Sequence, residues 1–309
     1  MKKPLVVVIV GPTASGKTAL SIEIAKKLRG EIISADSMQI YEKMNIATAK
    51  PTTEEMQGIP HHLIGFVPVG ESFSVAAYKE KALDAISDIL GRGKLPIVAG
   101  GTGLYVDTLI KNTDFPEYEE NGIREELEKR FLKEGIEVLY NELRTIDPDT
   151  ASRLHLNDTK RIIRALEVYR LTGETLTQQC AVSHLNESDY QWCVIGITAK
   201  DRQYLYDRIN KRVDIMVENG LVEEAKEFFS SASSKTAKQA IGYKELKPYF
   251  DGDVTLQQAL DKLKMETRRY AKRQLTWFRR NENIRWLEID CTDKEQLIES
   301  AIKIINEYR

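Results

Sequence analysis

The sequence predicts an α/β protein in which a parallel sheet carries helices on both faces. Four short runs rich in β-branched and other apolar residues have the length of buried strands: 5–10, 31–36, 95–101 and 191–198. Between the first three, apolar residues recur at helical spacing over 18–28 and 74–93. Strands that alternate with helices in this way are typical of parallel sheets, although the pattern leaves the strand order open.

Three loops directly follow these strands, at residues 11–18, 36–39 and 100–105. Ligands of open α/β sheets bind beyond the carboxyl ends of the strands. We therefore expect the three loops to border one cleft.

A polar stretch near residue 112 separates this alternating part from a segment that shows only helical periodicity. We predict a helical domain at residues 116–190, inserted into an α/β core formed by residues 1–115 and 191–309. After residue 199 the helical pattern returns, and its last long helix is expected within 255–281.

The composition is that of an ordinary globular protein. The chain has 309 residues, 42% of them hydrophobic, and a formal net charge of -2. The net charge therefore gives no sign of a polyanionic partner. Cys180, Cys193 and Cys291 form no C-x-x-C pair, and the four histidines show no zinc-ligand spacing, so we expect a reduced, cytoplasmic setting. No apolar run reaches the roughly 20 residues that cross a bilayer, so no membrane association is expected.

The stretch GPTASGKT follows the first apolar run and has the pattern of a phosphate-binding loop. Its backbone N–H groups and its lysine fit a di- or triphosphate, and the pattern uses the threonine hydroxyl as a ligand for Mg²⁺. The residues predicted to bind the phosphates are Gly11, Pro12, Thr13, Ala14, Ser15, Gly16, Lys17 and Thr18.

Asp36 is the candidate acidic residue of the cleft. Most phosphate-loop triphosphatases carry an acid at the end of a second strand, but here LPIVAGG ends in glycines and the carboxylate follows the strand at 31–36. A general base acting on an acceptor substrate and a helix-capping or turn-forming aspartate both fit this position.

Arg208 and Arg212 lie four residues apart on a predicted helix. At this spacing two guanidinium groups can hold a diphosphate from the side opposite the loop. The alternative is a solvated helix face on which Asp201 and Asp207 pair with the two arginines.

Basic residues are clustered although the net charge is small. Residues 255–281 hold eight Lys or Arg interleaved with Tyr270, Trp277 and Phe278, and residues 160–164, KRIIR, add three more. Cations with aromatic residues favour an RNA partner, whereas long basic side chains that cover a helix surface are the structural alternative.

Seven stretches of the chain resemble, in order, the motifs of tRNA dimethylallyltransferases, also called tRNA isopentenyltransferases: GPTASGKTAL, ISADSMQIY, IATAKPT, AGGTGLY, NDTKRIIRALEVY, QAIGYKEL and TRRYAKRQLTWFRR. The resemblance extends over nearly the whole chain. The chain has no C-terminal zinc-finger extension of the kind found in some eukaryotic relatives, so a bacterial-type member is expected.

The resemblance implies transfer of a dimethylallyl group from dimethylallyl diphosphate to N6 of the adenosine on the 3′ side of the tRNA anticodon, with release of diphosphate. Asp36 matches the general base of the family. Lys17, Arg212 and Thr18 with Mg²⁺ match the groups that stabilise the departing diphosphate, and Thr102 matches a residue near the reacting centre.

The resemblance also implies a tRNA interface, with residues 116–190 as the tRNA-binding domain, the anticodon arm as partner and a monomeric protein. The positions that match tRNA-contacting segments are Asp36, Ser37, Met38, Gln39, Thr102, Arg124, Lys160, Arg161, Ile162, Ile163, Arg164, Gln239, Ala240, Ile241, Gly242, Tyr243 and Lys244.

Two other classes of protein fit the phosphate loop. In an ATP-dependent kinase of a nucleotide or other small molecule, Asp36 would activate an acceptor hydroxyl. In an RNA-binding ATPase, the basic helices would contact RNA while ATP is turned over.

Overall fold

The computed structural model describes residues 2–113, 122–183, 188–230, 234 and 236–309. The chain divides into two compact units: a core unit, Met1–Ile110 with Asp189–Arg309, and a helical unit, Lys111–Ser188. The first residue of the predicted insertion, 116, lies outside the described residues.

The core unit contains a six-stranded parallel sheet. Its strands are β1 Leu5–Val10, β2 Gly30–Ser34, β3 His61–His62, β4 Leu95–Gly100, β5 Gln191–Thr198 and β6 Arg285–Glu288. They are arranged in the order β3-β2-β4-β1-β5-β6, and all pairs are parallel. The predicted parallel α/β fold is therefore confirmed.

Helices connect the strands and form the helical unit. They are α1 Lys17–Leu28, α2 Thr53–Met56, α3 Val75–Gly91, α4 Gly103–Ile110, α5 Ile123–Glu134, α6 Ile136–Ile146, α7 Pro148–Ser152, α8 Thr159–Thr172, α9 Leu176–Ser183, α10 Arg202–Glu218, α11 Leu221–Ser230, α12 Tyr243–Phe250, α13 Leu256–Phe278 and α14 Lys294–Asn306. In the described part of the chain, no helix is long and apolar enough to cross a membrane.

Both faces of the sheet are buried. Val6, Val8 and Val10 of β1 belong to the apolar cluster that includes α3 and α4, whereas Val7 and Ile9 belong to the cluster that includes α1 and α14. A strand covered on both faces has no polar side to show, which explains the unbroken apolar run of β1.

The strand register places three loops at the same edge of the sheet. Val10 pairs with Gly100, and Ser34 pairs with Ala99, so β1, β2 and β4 end side by side. A Cβ atom at Gly100 would lie 2.2 Å from the backbone oxygen of Ala35. The glycine is required because the β4 backbone passes directly against the residue that precedes Asp36.

A third apolar cluster lies beside this edge of the sheet. It joins the segment after β2, through Ile40, Tyr41 and Met44, to helices α10 to α13, through residues such as Leu221 and Leu263. The cluster fixes the segment that follows Asp36 against helices from the end of the chain.

The helical unit has its own core. Leu127 of α5, Leu139 and Leu143 of α6 and Ile162 and Leu166 of α8 are among its buried residues. The four-residue spacing within α6 and within α8 is the amphipathic pattern that predicted helices in this segment.

Candidate active site

The phosphate-binding loop links β1 to α1 and depends on its two glycines. Gly16 has a φ of 92°, a left-handed conformation that costs glycine nothing. A Cβ at Gly11 would lie 2.4 Å from the backbone oxygen of Ile197 in β5. The loop therefore lies close against the sheet, with the first turn of α1 directly after it, an arrangement suited to anions.

Lys17 lies half-buried at the start of α1. Its Nζ donates a hydrogen bond to the backbone oxygen of Pro12 at 2.7 Å. Burial and the neighbouring Arg212 lower the pKa of Lys17 to about 7, and the Asp36 carboxylate counteracts this effect. A bound diphosphate would favour the charged lysine.

Asp36 follows β2 and forms a turn with one of its carboxylate oxygens. Its Oδ1 accepts hydrogen bonds from the backbone N–H groups of Met38 at 2.9 Å and Gln39 at 3.3 Å. The turn-forming alternative is thus observed, but the carboxylate has a second oxygen and also lines a cavity. A turn that fixes the side chain is compatible with proton transfer by the other oxygen.

The loop after β4 reaches the same place through Thr102. The Thr102 Oγ1 accepts a hydrogen bond from the backbone N–H of Ser37 at 2.9 Å, and Thr102 N–H donates to the Ala35 oxygen at 3.1 Å. These contacts hold the loop after β4 against the residues on both sides of Asp36.

Gln274 of α13 was missed by the sequence analysis. Its Oε1 accepts a hydrogen bond from the Thr13 N–H at 2.8 Å, and its Nε2 donates to the Gly101 oxygen at 2.9 Å. The available signal was its spacing: a glutamine occupies a buried position between Ala271 and Phe278 on an otherwise apolar helix face. Buried polar groups are usually hydrogen-bonded, so such a residue marks a specific contact.

The two arginines of α10 have different surroundings. Arg212 lines the cavity, and burial lowers the pKa of its guanidinium while the Asp36 carboxylate opposes this shift. Arg208 instead donates from Nε to the Ala14 oxygen of the phosphate loop at 2.8 Å. Asp201 and Asp207 bond to Gln203.

Lys17, Asp36, Arg212 and Gln274 border one cavity of about 310 Å³, which we call the site cavity. The predicted catalytic and phosphate-binding residues that do not line it are Gly11, Pro12, Ala14, Ser15, Gly16, Thr102 and Arg208. Lys17, Thr18, Asp36 and Arg212 line it on its charged and polar side. Tyr270, which the sequence marked only as an aromatic residue of a basic cluster, lines it too. The other predicted residues that line it are Thr13, Ser37, Met38, Gln39, Gln239, Ala240, Ile241, Gly242 and Lys244. The arrangement combines residues of the phosphate loop, the basic side chains of Lys17, Arg212, Lys244 and Arg273, and the Asp36 carboxylate. These groups suit a reaction that moves an acceptor proton and stabilises a phosphate leaving group.

Two protein-family models match this chain. A family model described as IPP transferase matches residues 39–281, and one described as isopentenyl transferase matches residues 4–71. The chain belongs to the IPP transferase family. The predicted family and enzyme class are confirmed.

Close relatives cover almost the whole chain. A tRNA dimethylallyltransferase of Acetivibrio thermocellus is 50% identical over 96% of both chains, and one of Halalkalibacterium halodurans is 48% identical over 96% of this chain and 95% of its own. Both relatives are named tRNA dimethylallyltransferase, and each match spans nearly the whole of both chains.

Solved structures agree with the fold of this family member. The crystal structure of a tRNA isopentenylpyrophosphate transferase from Bacillus halodurans matches 99% of this chain and 98% of its own, with 44% identity and a TM-score of 0.74. A eukaryotic dimethylallyltransferase acting on tRNA matches 99% of this chain and 79% of its own, with 30% identity and a TM-score of 0.82.

The residues expected to contact tRNA fall into two groups in this IPP transferase. Arg124, Lys160, Arg161 and Arg164 of the helical unit are exposed, as are Gln239 and Lys244 of the core unit. Exposure makes these side chains accessible to a polyanion.

Five residues of the predicted interface are buried instead: Ala240 and Gly242, which line the site cavity, and Ile162, Ile163 and Tyr243, which do not. Ile162 and Ile163 are 0% and 6% exposed in the core of the helical unit. Tyr243 is 0% exposed, and its hydroxyl donates to Glu224 at 2.8 Å. The prediction treated each motif as a continuous stretch, but on a helix every third or fourth residue faces the core, so the side chains of Ile162, Ile163 and Tyr243 are structural.

Several basic side chains of the two clusters, and Arg124 as well, are paired within the protein. Arg124 and Arg164 both contact Glu167, each at 2.8 Å. On α13, Arg269 contacts Glu266 at 2.7 Å, in line with the surface-covering alternative. The clusters therefore carry less free charge than their composition indicates.

Proposed function

We propose that this protein transfers a dimethylallyl group from dimethylallyl diphosphate to N6 of the adenosine on the 3′ side of the tRNA anticodon, releasing diphosphate. One observation carries the site assignment: Asp36 and the phosphate loop border the same cavity, and the β4 end that would hold a triphosphatase acid is closed by Gly100 against Ala35. We assign the carboxylate to an acceptor substrate rather than to a water molecule.

In this reaction the N6 amine attacks the allylic carbon that bears the diphosphate. The new N–C bond forms while the C–O bond breaks, and its electron pair leaves with the diphosphate. An exocyclic amine is a weak nucleophile, so it needs a base to accept its proton. Asp36 fits this role because its Oδ1 is held in the turn with Met38 and Gln39 while the carboxylate borders the cavity.

The leaving diphosphate is held by the loop N–H groups together with Lys17 and Arg212. Both side chains lie beside the cavity, and a bound anion favours their positively charged forms. Burial strengthens the interaction of these charges with the anion. Arg208 contributes by holding the Ala14 carbonyl on the outer side of the loop.

The residues present also fit Mg²⁺, which we propose as the cofactor. Thr18 offers an exposed hydroxyl at the first turn of α1 beside the cavity. The described residues contain no group of three His, Cys, Asp or Glu that could hold a metal ion, so diphosphate oxygens and water would supply the other ligands. When bound, the ion would neutralise charge on the diphosphate.

We assign tRNA contacts to the exposed cations of the helical unit and, separately, to the exposed residues of the 239–244 segment in the core unit. A base inside a folded loop must leave its stack to reach an enclosed cavity, at a cost of a few kcal/mol. Phosphate contacts by Lys160 and Arg161 would offset part of this cost. We propose that the protein acts as a monomer in the cytoplasm on this substrate.

A transfer assay tests the function. Protein, Mg²⁺, unmodified tRNA and dimethylallyl diphosphate labelled in the allyl group are mixed, and label in tRNA is measured. We expect label at the adenosine next to the anticodon and none in a tRNA with another base at that position. ADP formation with a small acceptor would support the kinase alternative, and RNA-stimulated ATP loss would support the ATPase.

A further inference from the structure

Glu224 of α11 binds a loop that is distant in sequence. Its carboxylate accepts hydrogen bonds from three consecutive backbone N–H groups: Asn45 at 2.9 Å, Ile46 at 2.8 Å and Ala47 at 2.9 Å. The Tyr243 hydroxyl of α12 donates a fourth, at 2.8 Å. Consecutive N–H groups that converge in this way form a nest for an anion, and here a side chain fills it.

The loop held by Glu224 forms part of the wall of the site cavity. Ala47, Thr48 and Ala49 all line it. The Ala47 side of the loop also lies against α12, because a Cβ at Gly242 would lie 2.9 Å from the Ala47 Cβ. The loop is therefore fixed from two helices.

The same loop is tied to the proposed base. The Gln39 Nε2 donates to the backbone oxygens of Thr48 at 3.1 Å and Ala49 at 3.0 Å. The backbone N–H of Gln39 donates to Asp36 Oδ1. A continuous series of hydrogen bonds thus runs from Glu224 through the 45–49 loop and Gln39 to Asp36.

The ionised carboxylate is essential to this arrangement. Glu224 accepts from four donors, which a carboxylate can do because it carries two acceptor oxygens and no donor. A glutamine would place an N–H₂ group against at least one backbone N–H, and one donor would lose its partner.

We propose that Glu224 is a positioning residue that sets the rate of transfer by fixing the 45–49 loop and, through Gln39, the orientation of Asp36. This role rests on the proposed function. Glu224 is not among the residues that line the site cavity, so its loss should slow the chemical step and leave tRNA binding nearly intact.

The first test is Glu224→Gln, with the neighbouring exposed Glu223→Gln as matched control. In a single-turnover label-transfer assay at saturating substrates, a misplaced base should slow Glu224→Gln about 10- to 100-fold, with tRNA Kd changed less than about threefold. Equal rates for the two variants, or equal loss of rate and affinity in Glu224→Gln, would overturn the proposal. If the wild type and Glu223→Gln both fail to transfer label, the proposed function itself fails.

The second test is a double-mutant cycle with Gln39→Ala, which breaks the same series at its other end. If both residues act through one loop, the double variant should be no more than about threefold slower than the slower single variant. Multiplied effects would mean independent roles and overturn the proposal. Gln39→Ala also stands alone if Glu224→Gln does not fold, because an unchanged rate in Gln39→Ala would contradict the series.

Discussion

The backbone N–H of Thr13 donates to the side chain of Gln274 at 2.8 Å, although the two residues are 261 positions apart in the chain. The other end of the same amide donates to Gly101. One buried side chain of α13 therefore links the phosphate loop to the loop after β4, which is itself bonded to the residues on both sides of Asp36.

Replacing Gln274 by Leu should weaken diphosphate binding, because the Thr13 N–H and the Gly101 oxygen lose their partner inside the protein. An unpaired buried polar group costs about 1–3 kcal/mol. If the whole cost is lost from the binding free energy of diphosphate, the affinity falls roughly 5- to 150-fold. Calorimetry with inorganic diphosphate measures this. The exposed Gln257→Leu on the same helix is the control, and equal Kd values for the two variants would exclude the role.

Diphosphate binding should take up a proton at mildly alkaline pH. The pKa of Lys17 is lowered to about 7 in the free protein, and a bound anion favours the charged lysine, so its pKa rises on binding. Below pH 7 the titration of Lys17 should not change the affinity for diphosphate. Above pH 7 the affinity should fall, because the lysine of the free protein has lost its proton. Calorimetry near pH 8 in two buffers of different ionisation enthalpy gives the uptake, and Lys17→Met corrects for the titration of diphosphate itself. Identical proton uptake by the wild type and Lys17→Met would contradict the lowered pKa of Lys17.

Exposed cations of the helical unit should differ in their effect on tRNA binding. In the described part of the chain no ion pair is recorded for Lys160 or Arg161, whereas Arg164 contacts Glu167. Lys160→Ala with Arg161→Ala should weaken binding and reduce the slope of log K against log salt by about 1–2. Arg164→Ala should change this slope less, because Arg164 is already paired with Glu167. Lys303→Ala on α14 is the control. If replacing both Lys160 and Arg161 leaves the slope unchanged, these two residues do not contact tRNA.

Glu31 should stabilise the fold at neutral pH. Its carboxylate is 2% exposed and contacts Arg92, Lys94 at 2.6 Å and His62 at 2.8 Å, and these partners hold its pKa far below the usual range. Glu31→Gln should lower the free energy of unfolding by about 1–3 kcal/mol, since the cations can still reach water. The Glu31 carboxylate adds to the free energy of unfolding at pH values above the ordinary pKa of glutamate. This stabilisation is lost as the pH falls through the lowered pKa that Glu31 has in the folded protein.

Urea unfolding at several pH values checks this prediction. The difference between wild type and Glu31→Gln should shrink on acidification. Glu23→Gln removes a surface pair with Lys294 and should cost less than about 1 kcal/mol. A Glu31 variant as stable as the Glu23 variant would be inconsistent with the buried cluster.

The fold could be predicted where the sequence carries a strong local pattern. The run LVVVIV and the GPTASGKT loop after it identify β1 and the phosphate loop, because a strand buried on both faces is continuously apolar. Strands β3 and β6 have two and four residues, too few for such a pattern, and were not predicted. Strand order was also beyond reach, because it depends on crossovers between distant segments.

The site could be predicted only in part for the same reason. Asp36 and Thr102 were identifiable because they follow strands, and the edge of a parallel sheet brings strand ends together. Gln274 and Glu224 act on partners in distant segments, and a single sequence does not record such pairs. Ile162 and Tyr243 show the opposite error, in which a motif included core residues.

The most direct test of the account is the single-turnover rate of Asp36→Asn. The asparagine Oδ1 can still accept from Met38 and Gln39, so the turn is kept while the basic oxygen is lost. We predict that the rate of dimethylallyl transfer falls about 100-fold or more while tRNA Kd changes less than about threefold. A rate close to that of the wild type, or parallel losses of rate and affinity, would contradict the role of Asp36 as the base.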